Sequence, residues 1–208
     1  MAFNYITAAE AAEMIHDGMT LGLSGFTAPG TPKAISEELA KKAEREHEAG
    51  RPFKINLFTG ASTSDHVDGV LSRANAINMR APYQNVPDLR KRINAHDCHY
   101  NDRHLSEMSQ EMRYGFYGDI DFAIIEAADI NDKGEIILGT GVGNIPTYAH
   151  MAKKIFIELN EELPSALHGM HDVIMLQDAR RRGGEPRGAP LGRRGGAGGR
   201  VGPAKGGG

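Results

Sequence analysis

The sequence predicts an α/β domain, a mainly parallel sheet with helices on both faces. Three observations predict it. Short apolar runs alternate with helical patterns from residue 7 to residue 159, the order that builds a parallel sheet through crossover helices. The run FAIIEA at 122–127 is apolar on both faces, as a central strand covered by helices on each side must be. Three glycine loops, at 24–32, 59–64 and 139–144, each follow a strand-like run. Ligands of open α/β sheets bind beyond the carboxyl ends of the strands, where such loops can converge.

Residues 7–17 read as the first helix. Thr7 is its N-cap, Glu10 completes a capping box, and Ala11, Met14 and Ile15 form an apolar stripe. The run at 19–23 reads as a strand that breaks into Ser24-Gly25-Phe26 and a loop holding Pro29, Gly30 and Pro32. Glycine there admits positive φ and close approach of a ligand to the backbone. The helix start that follows can point free N–H groups at an anion. On spacing alone, Gly25 and Gly30 serve equally as the shape of a tight turn.

The stretch 33–48 is rich in Glu, Lys and Ala, good exposed helix, and stops at Gly50 with Pro52 beyond. FKINLF at 53–58 is a strand, 59–64 a small-residue loop and 65–74 a helix, repeating the first arrangement. A short strand is expected at 77–80. Pro82 opens a loop, and Pro87 suits the first turn of a helix at 88–94. Cys98 and Tyr100 mark another short strand, and 104–114 is helical, closed by Gly115 and Gly118. After 122–127 a turn at 131–134 sends 135–138 back. GTGVGN at 139–144, a helix at 146–152 and the strand KIFIEL at 154–159 follow.

Composition divides the chain in two, a domain at 1–178 and a tail at 179–208. Hydrophobic residues make up 40% and charged residues 25% of the 208, as in globular proteins. The formal charge of −3 hides an acidic body and a basic tail that holds seven Arg, one Lys and one Glu. Twelve of the last 30 residues are Gly, and Leu191 and Val201 are their only sizeable apolar side chains. Such a tail buries too little to offset the entropy of ordering, so disorder is expected. Its Arg, Gly, Ala and Pro are residues of G/C-rich codons, and the expectation is a frameshift product or a mistaken gene boundary. Reading the DNA past codon 178 in the other frames tests this. The single Cys98 excludes an intrachain disulfide. The first residues carry neither a secretory nor a transit pattern, and no apolar run approaches the 18 residues of a membrane span. The cytoplasm is the expected compartment.

Several constellations carry candidate chemistry. Ser62 in TGAST either holds a substrate carboxylate or caps the helix from Asp65. GTGVGN with Glu158 resembles part of a dinucleotide fingerprint, the NAD-binding half of an oxidoreductase, but Asn144 stands where its last glycine belongs. His96, Cys98, His99, Asp102 and His104 crowd together, with His96 and Cys98 on one face of a strand. Their spacing matches no zinc pattern, and no metal is assigned. Gly22-Leu23-Ser24-Gly25 is close to a nucleophile elbow without its last glycine spacing. Glu126, ending the central strand, is either a nucleophile or a structural carboxylate. The Arg/Gly tail resembles an RNA-binding segment but lacks Phe or Tyr for base stacking, which argues against nucleic acid.

Asp17-Gly18, any two residues, three mostly apolar residues, then Ser24-Gly25-Phe26 with Gly30 and Pro32 resemble the CoA-transferase signature. LFTGASTSDHVDG (57–69), LRKRIN (89–94), HLSEM (104–108) and GVGNIPTYAHMAKKIFIELNE (141–161) are similar in order to the acetyl-CoA hydrolase and succinyl-CoA:acetate CoA-transferase family. The resemblance covers roughly residues 5 to 175 and implies a CoA-transferase-like fold. It implies acyl-CoA chemistry with coenzyme A as substrate, a small carboxylate such as acetate or succinate as partner, and no metal. Ser62 lines the carboxylate pocket in that family. A second pocket position falls on Asn85, after Arg80-Ala81-Pro82-Tyr83, where acetate-using relatives carry threonine. Gly25, Phe26, Gly143 and Asn144 fall beside the cleft. The family's nucleophilic glutamate belongs to a second half that this sequence does not resemble, so no catalytic residue is assigned. The resemblance implies completion by a C-terminal half or a second subunit, with a homodimer as one form. The isolated chain is expected to be inactive.

Overall fold

The computed structural model describes residues 3–174. Seven strands form one sheet: β1 (Thr20–Leu23), β2 (Ile55–Phe58), β3 (Ile77–Ala81), β4 (His99–Tyr100), β5 (Phe122–Ile130), β6 (Ile136–Leu138) and β7 (Lys154–Leu159). The order is β4-β3-β2-β1-β5, with β7 on the far side of β5. All these neighbours are parallel, and β6 alone runs antiparallel to β5. Ala127 pairs with Leu138 on one edge and with Leu159 on the other. β6 therefore takes over the edge of β5 that β1 leaves at Leu23, and opens space beyond the end of β1.

Helices cover both faces, as the doubly apolar β5 requires. Leu21, Leu23, Leu57 and Ile124 point into one core, shared with α1 (Ala8–Glu13), α2 (Ala34–Glu48), α3 (Val70–Arg73) and α4 (Pro87–Asn94). Phe58, Ala123 and Ile125 point the other way, onto Met108 and Met112 of α5 (Leu105–Arg113) and Ile145 and Tyr148 of α6 (Ile145–Met151). Alternation along each strand divides the two cores. A fully buried Leu such as Leu39 is worth about 1.5–3 kcal/mol over exposure, so packing against the sheet, more than helix propensity, holds the polar α2.

Boundaries shift for identifiable reasons. The capping box of Thr7 and Glu10 is present, but α1 stops at Glu13, short of residue 17. Lys42 donates to the carbonyls of Ala12, Glu13 and Ile15 at 2.8–3.2 Å, ending the helix with a buried cation. The helix expected at 65–74 is a π turn (Asp65–Gly69) running into α3. Gly69 permits it, because a Cβ there would lie 2.0 Å from the Asp65 carboxylate. His96 sits in the turn after α4 with φ 60°, not on a strand. The tail expected to be disordered, 179–208, lies outside the described residues. No helix of the described residues is long and apolar enough to cross a membrane.

Candidate functional site

The three glycine loops meet beyond the carboxyl ends of β1, β2 and β6. A Cβ on Gly60 would lie 2.8 Å from the Gly25 carbonyl oxygen and 3.3 Å from Gly143 Cα. One on Gly141 would lie 2.8 Å from the Pro29 carbonyl oxygen and 3.4 Å from Phe26. These glycines are contact points where three backbones touch, and any side chain would part them. Thr27 and Thr63 form a parallel bridge between the first two loops. Thr27 holds φ 59°, an unusual backbone for a β-branched residue, at the rim of this junction.

Ser62 and Asn85 come together beside the junction. The Asn85 N–H donates to Ser62 Oγ at 3.1 Å, and the Ser62 hydroxyl donates to Asn85 Oδ1. Ser62 is only 1% exposed, whereas Asn85 faces solvent. With Oδ1 turned to Ser62, the amide NH2 is the donor that Asn85 keeps for a ligand. Ser62 does not cap the next helix; Ser64 does, accepting from the His66 N–H at 3.3 Å.

Beneath the pair lies a buried ion pair. Arg80 on β3 and Asp68 in the π turn are both 0% exposed and meet through two hydrogen bonds of 2.8 and 3.0 Å. Arg80 also donates to the carbonyls of Ala61 at 3.1 Å and Ala81 at 2.6 Å. Asp68 accepts the Thr63 N–H at 3.1 Å. Sequence reasoning missed the pair. The available signal was a charge at an inward position of each apolar pattern, Arg80 directly after Asn78-Met79 and Asp68 beside Val67.

Phe26 is 42% exposed and lies over the third loop. Gly143 is exposed, while Asn144 is buried with both amide ends engaged. Its Oδ1 accepts from Ser109 at 2.7 Å, and its Nδ2 donates to the Thr59 carbonyl at 3.3 Å. That carbonyl also accepts the Tyr148 hydroxyl at 2.7 Å. Burial holds the Tyr148 hydroxyl well above the usual range, so it stays a neutral donor. Asn144 thus braces the second loop from the third.

Other candidates turn out to be structural. The Ser24 hydroxyl donates to the Gly30 carbonyl at 2.5 Å and accepts the Glu126 N–H at 2.9 Å, so both its bonds go to backbone. Glu126 is 4% exposed, paired with Lys33 at 2.6 Å and with Asn160 at 3.1 Å. A carboxylate held this way is a strut. Glu158 accepts the N–H groups of Lys33, Ala34 and Ile35 at 2.6–3.1 Å. It caps α2 from across the sheet and complements the helix dipole, which removes it as a ribose ligand. The GTGVGN loop follows the antiparallel β6, so the parallel unit of an NAD site is missing as well.

Among the described residues, no three of His, Cys, Asp and Glu come together as metal ligands would. Cys98 is buried, and burial pushes its thiol up to about 11. It should therefore be inert. In native protein at pH 8, a disulfide reagent should modify it at least about 100-fold more slowly than in urea. Equal rates would show that the β4 edge opens.

Comparison with known proteins gives four findings. Residues 3–180 match the model of the acetyl-CoA hydrolase/transferase N-terminal domain. The propanoyl-CoA:succinate CoA transferase of Escherichia coli K12 is 45% identical over 170 residues, which cover 82% of this chain and 35% of that protein. The succinyl-CoA:acetate CoA-transferase of Clostridium kluyveri is 42% identical over 177 residues, 85% of this chain and 32% of that one. The chain spans about a third of the length of these relatives. An acyl-CoA transferase of Escherichia coli O157:H7, solved as a thioester complex with CoA, superposes with a TM-score of 0.60 at 10% identity. It covers 77% of this chain and 44% of that one, and shows a shared fold.

Proposed function

The chain belongs to the acetyl-CoA hydrolase/transferase family, and from that premise we propose that it supplies the carboxylate-binding half of an enzyme acting on short-chain acyl-CoA. The meeting of Ser62 and Asn85 beside three converging glycine loops carries the reading. A small carboxylate, such as acetate or succinate, is taken up by the Asn85 amide, with Ser62 orienting that side chain from behind. Gly25, Phe26, Gly143 and Asn144 form the wall. Backbone N–H groups of such a wall suit an oxyanion. The reaction needs a carboxylate nucleophile beside the thioester. Glu126 is held by Lys33 and Asn160; what the family resemblance implies is that the nucleophile, and most contacts to CoA, come from a C-terminal half or a second subunit. From the sequence we take the domain as 1–178, and the cytoplasm as its compartment, since a chain with a single cysteine needs no oxidising surroundings.

Two experiments on the purified 208-residue chain test this. Acetyl-CoA or succinyl-CoA, with and without acetate, should lose no thioester above background, and hydroxylamine should release no acyl group from the protein. Turnover, or an adduct on Glu126, would overturn the division of labour. Succinate titrated into the labelled protein should shift the Asn85 side-chain amide signals. Asn85→Asp removes that amide and sets a like charge against the ligand, so succinate should no longer shift the backbone N–H signals of Ser62, Thr63 and residue 85. Ser62→Ala should weaken binding by about 0.5–1.5 kcal/mol, the worth of the neutral hydrogen bond that orients Asn85. Unchanged titrations in both variants would sink the pocket.

A further inference from the structure

We propose that the buried Arg80–Asp68 pair is the positioning device of the Ser62–Asn85 pocket. The proposal deepens the carboxylate-pocket reading and rests on it. The two charges grip the peptide on either side of Ser62: Arg80 holds the Ala61 carbonyl, and Asp68 holds the Thr63 N–H. Thr63 is gripped twice, since its hydroxyl also accepts the Asp68 N–H at 3.2 Å. The same guanidinium holds the Ala81 carbonyl at 2.6 Å, where the chain leaves β3 for Asn85. One side chain thus indexes both halves of the pocket, Ser62 from the loop after β2 and Asn85 from the loop after β3.

The geometry suits this role better than a role in stability. A buried ion pair gains little over well-packed apolar groups of the same volume, but its fixed hydrogen bonds specify one arrangement. The planar fork of Arg80 uses Nε and both terminal nitrogens on four acceptor atoms. A lysine there would keep the charge and lose the fork. Asn85 itself is exposed, so its placement depends on what lies beneath it.

Amide exchange in the 208-residue protein separates positioning from bulk stability. The Asn85 N–H, bonded to Ser62 Oγ, reports the pocket, and the amides of β2 and β5 report the core. The double variant Arg80→Met/Asp68→Leu removes both charges together. It should keep core protection within about twofold of the parent while protection at Asn85 falls by at least about tenfold. Succinate binding should weaken in step. Arg80→Lys should give the same pattern and covers the case in which the double variant does not fold. Protection at Asn85 within about twofold of the parent, in whichever variant folds, overturns the proposal. If the parent itself shows no succinate-induced shifts, the carboxylate reading fails, while the exchange at Asn85 still decides the positioning claim.

Discussion

Arg80→Met alone should destabilise the domain by about 3–5 kcal/mol, because it strands the Asp68 carboxylate without its partner in the core. Both side chains are 0% exposed, so no water replaces the lost donors. Asp68 would keep the Thr63 N–H, and the carbonyls of Ala61 and Ala81 would lose the guanidinium. At about 2–4 °C per kcal/mol for a domain of this size, the midpoint of thermal unfolding should fall by roughly 6–20 °C. Adding Asp68→Leu should bring the stability back to within about 0.5 kcal/mol of the parent, since the buried charge goes with it. Urea and thermal unfolding of the two variants beside the parent measure both steps. A single variant within about 1 kcal/mol of the parent would mean that water reaches Asp68.

Gly60→Ala should have the second-largest effect. The new methyl would sit 2.8 Å from the Gly25 carbonyl oxygen and 3.3 Å from Gly143 Cα. Both neighbours are backbone, and neither has a side chain that can swing away. Overpacking of this kind costs about 1–3 kcal/mol, and here the strain falls on the junction of the three loops. Succinate-induced shifts at Asn85 should be lost along with the stability. Gly139→Ala is the control: its Cβ would meet only the Leu163 side chain, at 3.3 Å, which can turn. That variant should stay within about 0.5 kcal/mol of the parent. Equal effects of the two substitutions would show that the loops do not touch at Gly60.

Much of the site could be read from the chain, but unevenly. By its place after a strand Ser62 reads as a helix cap as readily as a pocket residue, and the family resemblance alone proposes it and Asn85, after Arg80-Ala81-Pro82-Tyr83, for the pocket. Their mutual hydrogen bonds were not legible, since 23 residues separate them. Glu126 had two readings and Ser24 that of an imperfect nucleophile elbow, because a serine or glutamate at a strand end looks the same whether it reacts or braces. Only their partners, the Gly30 carbonyl and Lys33, separate the readings.

The sequence by itself determined the alternation of strands and helices, the doubly apolar β5, the Thr7 capping box and the three glycine turns. Each is a local pattern, set by side-chain period or backbone freedom over a few residues. Tertiary structure alone decided that Glu158 caps α2 from 125 residues away, that Lys42 ends α1, and that Gly25, Gly60 and Gly143 share one junction. Hydrogen bonds and close contacts depend on where the folded sheet brings distant strands. Spacing along the chain carries no trace of that distance.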